Sequence, residues 1–283
     1  MPAPPPLPEP DLLLVFPQWQ GAGQVPGLRE SALAIAGAIP GARRRIDVPV
    51  RPGHPLSSER GIEGRSELLA QLVRAGELLE AEQPARVLAV GGDCGIEVAV
   101  ISYLLTRYDG DLTVLWIDAH PDLNTPETSP SGTFHGMPLR VLLGEGDPEF
   151  TALVNRPLRN GQVVLAGTRS FDPPELATIE RYGLRVFSPE QLGREVPELV
   201  RSIHRGGSRR VYVHLDLDVC EPTEIPAVAC PTPGGVPTSA LLGLLDALAA
   251  ELDIVGAGVT EALFDGPSVP SAIRPLLDRL GRL

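Results

Sequence analysis

Residues 112–124 read LTVLWIDAHPDLN, and this stretch decides the fold class. Residues 112–117 form a short, mostly apolar run of the kind that makes a strand buried on both faces. Asp118, His120 and Asp122 follow at alternate positions. Because successive side chains of an extended segment point to opposite sides, these three project from one side. The stretch predicts a buried strand that ends in a group of potential metal ligands.

The rest of the chain alternates similar runs with segments in which Leu, Val and Ala recur at helical spacing. Short buried strands separated by helices are typical of a parallel sheet covered on both faces. We therefore predict an α/β protein, a single three-layer α/β/α domain over residues 11–283 with a central, mostly parallel eight-stranded sheet. Six prolines among residues 1–10 predict an extended, disordered tail. The predicted strands are 11–16, 45–50, 86–91, 112–118, 162–167, 184–187, 210–217 and 253–259, and the predicted helices include 66–81, 189–203 and 239–252.

Composition excludes several classes of function. The chain has 24 basic and 36 acidic residues and a net charge of −12, so the phosphates of a nucleic acid would be repelled. No apolar run approaches the ~18 residues of a membrane span, and the start lacks the basic region of a signal peptide. Three cysteines are too few for a disulfide framework and odd in number, which favours a reducing cytoplasm.

A second group of carboxylates ends the predicted strand 210–217. Asp216 and Asp218 again stand at alternate positions and share one side of the chain. Either motif alone is also typical of a helix cap or a turn, but two such groups at strand ends of one sheet favour a shared site. Four Asp and one His form an oxygen-rich donor set that suits Mn²⁺ or Mg²⁺, and the imidazole favours the transition metal. A two-metal site would also relieve the repulsion between so many carboxylates.

Four sequence blocks carry a family resemblance over roughly residues 11–270. They are GGD at 91–93, DAHPDLN at 118–124, GTFHGMP at 132–138, and HLDLD at 214–218 followed by Pro222, Pro226 and Gly234-Gly235. In this order the blocks resemble the signatures of the ureohydrolases, which include arginase and agmatinase. The resemblance implies hydrolysis of a guanidino group and a cofactor of two Mn²⁺ ions per subunit, in a homo-oligomer.

The resemblance also implies roles for individual residues. Asp118 and Asp216 would bridge both ions. Asp122 would complete one ion and take part in catalysis, and His120 with Asp218 would complete the other. His135 resembles the proton shuttle that serves the departing amine, and Glu261 resembles the carboxylate that binds the guanidinium group.

Two cysteines depart from the family pattern. Cys94 stands where the family writes a metal-binding His after Gly-Gly-Asp, and a thiol is a poor partner for Mn²⁺. We therefore expect one metal position to be weaker, with Cys94 either a poor ligand or only a small buried side chain. Cys230 stands where arginases have a Thr that faces the guanidino group. A redox or soft-metal pair of thiols is a further alternative.

The predicted substrate is a small guanidino amino acid. Asn124, Ser129 and Ser131 match arginase positions that contact the substrate carboxylate, and Asp172 with Glu175 matches those that receive its ammonium group. The altered guanidino end favours Nω-hydroxy-L-arginine, cleaved to hydroxyurea and L-ornithine as in D-cycloserine biosynthesis. Plain arginase activity, an agmatinase-like or deacetylase-like hydrolase, and a metal-deficient binding protein are the alternatives.

Overall fold

The computed structural model describes residues 10–39 and 43–282 of the chain. The predicted proline-rich tail lies outside these residues except for Pro10. The strands are β1 (Leu12–Phe16), β2 (Arg45–Asp47), β3 (Ser58–Glu59), β4 (Ile62–Glu63), β5 (Val87–Gly91), β6 (Thr113–Ile117), β7 (Val163–Ala166), β8 (Arg185–Phe187), β9 (Arg210–Asp216) and β10 (Asp253–Thr260).

Eight of these strands form one sheet in the order β2-β1-β5-β10-β9-β6-β7-β8. Every pairing in the sheet is parallel, so the predicted sheet is confirmed and is more regular than the expected mostly parallel one. All eight predicted strands are present, with ends that differ by a few residues. The short antiparallel pair β3–β4 was not predicted, because two-residue strands leave no periodic signal.

Helices cover both faces of the sheet. Leu13 and Val15 of β1 belong to the apolar layer that also contains side chains of α1, α7, α8, α9 and α10. Leu12, Leu14 and Phe16 belong to the opposite layer, with side chains of α2, α3, α4 and α5. The helices are α1 (Gly27–Ala38), α2 (Arg65–Glu82), α3 (Glu97–Arg107), α4 (Pro138–Leu142), α5 (Pro148–Thr151), α6 (Pro173–Tyr182), α7 (Pro189–Leu192), α8 (Val196–Arg205), α9 (Thr238–Glu251) and α10 (Arg274–Leu280).

The helix predicted over residues 189–203 is two helices, α7 and α8. Pro197 lies in the first turn of α8, where the missing N–H of proline costs nothing. In the interior of one long helix the same proline would remove a hydrogen bond and clash with the preceding turn. The prediction of one continuous helix was wrong for this reason.

The strand order determines where polar side chains meet. Strands β5, β10, β9 and β6 are neighbours at the centre of the sheet, and their carboxyl ends lie along one edge. Ligands of parallel sheets bind beyond such ends. Within the described ranges, no helix combines the length and the apolar character that a bilayer crossing requires.

Candidate active site

Four strand ends bring their side chains together at this edge. Cys94 follows β5, Glu261 follows β10, Asp216 ends β9 and Asp118 follows β6. The Cys94 Sγ donates to Asp216 Oδ2 over 3.1 Å, and its backbone N–H donates to Glu261 Oε1 over 3.1 Å. Residues at three of the four strand ends therefore contact one another directly.

The first group of possible ligands contains Asp118, His120 and Asp218. His120 Nδ1 lies 3.0 Å from Asp218 Oδ2 and 3.6 Å from Asp118 Oδ1. The His120 side chain is 32% exposed, whereas both carboxylates are buried. The structure thus unites three residues that the sequence predicted as ligands of one site.

The second group contains Cys94, Asp118, Asp122 and His214, and all four are buried. One ligand atom of each lies within 4.8 Å of the others. His214 was not among the predicted ligands, although it stands two residues before Asp216 in the quoted block. The alternation that placed Asp216 and Asp218 on one side places His214 there too, so the signal was present in the sequence.

In both Asp motifs, the first carboxylate holds a turn and also lies among the possible metal ligands. Asp118 Oδ1 accepts the backbone N–H of His120 at 2.7 Å, and Asp216 Oδ1 accepts that of Asp218 at 2.7 Å. The other oxygens, Asp118 Oδ2 and Asp216 Oδ2, accept from Trp116 Nε1 and Cys94 Sγ. Each strand-ending Asp therefore shapes its turn with one oxygen and presents the other to the cluster.

The cluster places several carboxylates close together in a buried environment, where negative charge is unfavourable. Burial and neighbouring carboxylates raise the pKa of Asp122 and Asp216 well above the ordinary range, and raise that of Asp218 to about 6. Burial lowers the pKa of His120, but hydrogen bonds and charges from Asp118 and Asp218 outweigh it and raise the value to about 12. A divalent cation bound here would relieve the repulsion between these carboxylates.

Two buried oxygen atoms test whether a cation fits. Among the described residues, Asp122 Oδ2 and Glu261 Oε2 have no hydrogen-bond partner, which is costly for buried carboxylates. Both residues also have left-handed backbones, with φ of 51° for Asp122 and 62° for Glu261. Strain of this kind persists where the surroundings impose it, and it concentrates at functional sites. Hard oxygen donors with imidazole nitrogen fit Mn²⁺.

A cavity of about 140 Å³ opens above the cluster. His135 lines it, and its Nδ1 lies 3.1 Å from Glu261 Oε1. Burial lowers the pKa of His135, but the charge and hydrogen bond of Glu261 outweigh it, so the pKa is raised. The other lining residues are Cys94, His120, Asp122, Asn124, Ser129, Pro130, Ser131, Thr133, Gly136, Asp172, Glu175, Asp216, Asp218 and Cys230.

The residues predicted to hold the amino-acid end of the substrate all line this cavity. Asn124 Nδ2 donates to Asp172 Oδ2 over 2.9 Å, and the Ser129 and Ser131 hydroxyls lie 3.4 Å apart. Glu175 accepts the backbone N–H groups of Leu123 and Asp172, one on each oxygen. Its carboxylate therefore fixes the two loops against each other.

The cysteines occupy different environments. Cys94 is buried in the cluster, while Cys230 is exposed and lines the cavity. Cys220 is buried in an apolar layer and is not among the residues that line the cavity. The three described cysteines are free.

Comparisons with known proteins match a large part of the chain, including the residues of this site. The model of the Arginase family matches residues 43–263. Arginase of Schizosaccharomyces pombe is 33% identical over 196 residues, which are 67% of this chain and 60% of that protein. Arginase of Bacillus caldovelox is 33% identical over 202 residues, which are 67% of each chain. The match thus spans less than two thirds of the S. pombe arginase.

Solved structures share the fold. Bacillus caldovelox arginase superposes with a TM-score of 0.83 over 97% of this chain and 99% of its own, at 25% identity. Entamoeba histolytica arginase in complex with L-ornithine superposes with a TM-score of 0.84 over 96% and 97%, at 21% identity. From the family match over residues 43–263 and the relatives at 33% identity, we conclude that the chain belongs to the arginase family.

Proposed function

We propose that the protein is a dimanganese amidinohydrolase that cleaves the guanidino group of an arginine-type amino acid. One observation carries the proposal: two buried carboxylate oxygens on left-handed backbones, Asp122 Oδ2 and Glu261 Oε2, have no partner in a cluster that lies beneath an open cavity. Family membership supports the reaction class, since the relatives from S. pombe and B. caldovelox are named arginase.

The predicted ligands would hold the two ions. They are Asp118, His120, Asp122, Asp216 and Asp218, with Cys94 as a doubtful sixth. Two Mn²⁺ ions bound there supply Lewis acidity and lower the pKa of water toward neutrality. The protein contributes fixed positions for the ligands, because Asp118 and Asp216 each use one oxygen to hold the following turn.

His135 and Glu261 act on the substrate from the cavity side. Glu261 Oε1 accepts from the Cys94 backbone and lies 3.1 Å from His135 Nδ1, so it orients the imidazole. The raised pKa of His135 keeps a proton available for the departing amine. Glu261 Oε2 has no partner within the described part of the chain and would accept from the guanidino group.

Polar residues of the cavity lining would bind the amino-acid end of the substrate. Asn124 Nδ2 donates one hydrogen to Asp172 and has a second hydrogen available for the carboxylate of the substrate. Ser129 and Ser131 add hydroxyl donors, and Asp172 accepts from an ammonium group, with Glu175 holding its backbone. Agmatine lacks the carboxylate and should therefore be a poor substrate.

Within this class we propose Nω-hydroxy-L-arginine as the preferred substrate. The guanidino end of the cavity contains two thiols, Cys94 and Cys230, while the amino-acid end keeps its polar groups. An N-hydroxyguanidine is less basic than a guanidine, and its oxygen offers an additional metal ligand. The products would be hydroxyurea and L-ornithine, the reaction that D-cycloserine biosynthesis uses. Plain arginase activity is the second candidate, because the curated relatives are arginases.

A product assay with Mn²⁺-loaded protein tests the proposal. L-arginine, Nω-hydroxy-L-arginine and agmatine are compared at equal concentrations, with ornithine or putrescine, urea and hydroxyurea quantified. We expect the highest kcat/KM for Nω-hydroxy-L-arginine and the lowest for agmatine. Higher kcat/KM for L-arginine would make the protein an arginase, and turnover of none would refute the reaction class.

Three predictions about the whole protein accompany this proposal. They are a cytoplasmic location, a homo-oligomeric assembly, and a single domain that extends over residues 11–283. Size-exclusion chromatography with light scattering measures the assembly directly.

A further inference from the structure

His214 faces the metal cluster from inside the sheet. It lies in β9, and its side chain has no solvent exposure. Its Nε2 lies 3.6 Å from Asp118 Oδ2 and 3.7 Å from Cys94 Sγ. These two atoms and a carboxylate oxygen of Asp122 belong with it to one group of mutually close ligand atoms.

The other ring nitrogen of His214 is already engaged. Its Nδ1 lies 2.8 Å from Glu97 Oε1, and the second oxygen of Glu97 accepts from the Tyr212 hydroxyl at 2.5 Å. With Nδ1 donating to Glu97, Nε2 is the ring nitrogen that faces the cluster and would bind a cation there. Metal-binding histidines are commonly held in this way by a carboxylate on the far nitrogen.

The surroundings fix the ring for this single orientation. Trp116, paired with His214 across β6 and β9, stacks on the imidazole with centroids 3.8 Å apart. Gly258, paired with His214 from β10, leaves room for Glu97: a Cβ at Gly258 would lie 2.0 Å from Glu97 Oε1. A histidine that only filled the core would need neither a fixed tautomer nor an Nε2 aimed at three other donors.

We infer that His214, through Nε2, is a ligand of the metal position that Cys94, Asp118 and Asp122 surround. This inference rests on the proposed dimetal function and adds a ligand that the sequence did not predict. The imidazole nitrogen that the family pattern places at position 94 is then supplied by His214 of β9. Because Nε2 and the Cys94 Sγ face the same space, the thiol need not carry that position alone.

Histidine NMR with ¹¹³Cd²⁺ tests the ligand assignment in the wild-type protein. The protein is labelled with ¹⁵N-histidine and loaded with two equivalents of ¹¹³Cd²⁺, and His120→Asn and His214→Asn assign the resonances. We expect ¹¹³Cd–¹⁵N scalar coupling at His214 Nε2 and none at its Nδ1. Coupling at His120 with none at His214 would overturn this inference and leave the proposed function standing. Binding of neither ¹¹³Cd²⁺ nor Mn²⁺ would overturn both.

Mn²⁺ affinity separates a ligand from a supporting residue. Loss of a residue that holds a metal ligand by a hydrogen bond typically costs about 10- to 100-fold in metal affinity. Glu97→Gln should therefore weaken the binding of one Mn²⁺ by that amount. His214→Asn should exceed about 100-fold at the same position, and Tyr212→Phe should cost less than Glu97→Gln. The variant Cys94→His/His214→Asn, which returns the imidazole to position 94, should recover most of the loss. Wild-type Mn²⁺ affinity in folded His214→Asn, as judged by circular dichroism, would refute the assignment.

Discussion

The two halves of the metal cluster are built in different ways. The half around His120 takes its ligands from turns that follow β6 and β9, and the imidazole is 32% exposed. The half around His214 is buried, and its side chains come from β9, from the ends of β5 and β6, and from the start of α3. The first half takes all its ligands from two short motifs, while the second adds Cys94, His214 and the partner Glu97, which no single motif contains. This difference determines both what can be predicted and how each half should respond to substitution.

Asp216→Ala should have the largest effect, because its carboxylate lies between the halves. Asp216 contacts Cys94 and holds the turn that presents Asp218. We expect loss of bound Mn²⁺ and a fall in turnover well beyond the about 100-fold typical of an outer partner. Metal analysis and an ornithine assay measure both. The control is Asp246→Ala, an exposed carboxylate paired with Arg279, which should leave metal content and activity unchanged.

His135→Asn should separate proton transfer from metal binding. His135 contacts Glu261 but belongs to none of the three ligand groups among the described residues, so both ions should remain. We expect kcat to fall by about 10²- to 10⁴-fold, the usual contribution of a general acid. Loss of one Mn²⁺ in this variant would show that His135 supports the cluster rather than the reaction.

Gly258→Ala should damage the buried half alone. The new methyl group would displace Glu97, which holds His214. We expect one Mn²⁺ to weaken by about 10- to 100-fold while the ion beside His120 keeps its affinity. Isothermal titration with Mn²⁺ resolves the two sites. Gly243→Ala is the matched control, since its Cβ would meet no atom within 4 Å. Equal weakening of both ions would contradict the division into halves.

Cys230→Thr should have the smallest effect, on substrate choice rather than on metal. Cys230 lines the cavity and belongs to none of the described ligand groups. One hydrogen bond made or left unmade with a buried substrate is worth about 1–3 kcal/mol, or roughly 5- to 150-fold in selectivity. We expect the ratio of kcat/KM for Nω-hydroxy-L-arginine to that for L-arginine to fall by a factor within that range. Cys220→Ala, outside the cavity, should leave the ratio unchanged; a shift toward hydroxyarginine in Cys230→Thr would contradict the assignment.

The sequence predicts the exposed half well because its information is local. Each predicted strand rests on a short apolar run, and the Asp-x-His-x-Asp spacing needs only strand alternation to place its side chains. The convergence of these motifs follows from parallel strands that end at one edge. Sequence reasoning of this kind predicted eight strands and five potential ligands from neighbouring residues alone.

In the buried half, Asp118 and Asp122 were predicted from the same motif, but the contributions of His214 and Glu97 were not. The role of Glu97 depends on Tyr212 and on the space left by Gly258, which are distant in sequence and adjacent only across β9 and β10. His214 had a readable signal, but an apolar strand with one His is more often core than ligand site. The unpartnered oxygens of Asp122 and Glu261 likewise require coordinates, because a sequence does not show which carboxylate lacks a donor.

Titration of metal-free protein with Mn²⁺, with ornithine release measured at each step, tests the central claim most directly. Protein stripped by a chelator should release no ornithine from Nω-hydroxy-L-arginine or L-arginine. Activity should rise with added Mn²⁺ and reach its plateau at two bound ions per chain, as metal analysis counts them. Full activity in the stripped protein would contradict the account. So would the absence of ornithine release once two Mn²⁺ ions are bound per chain.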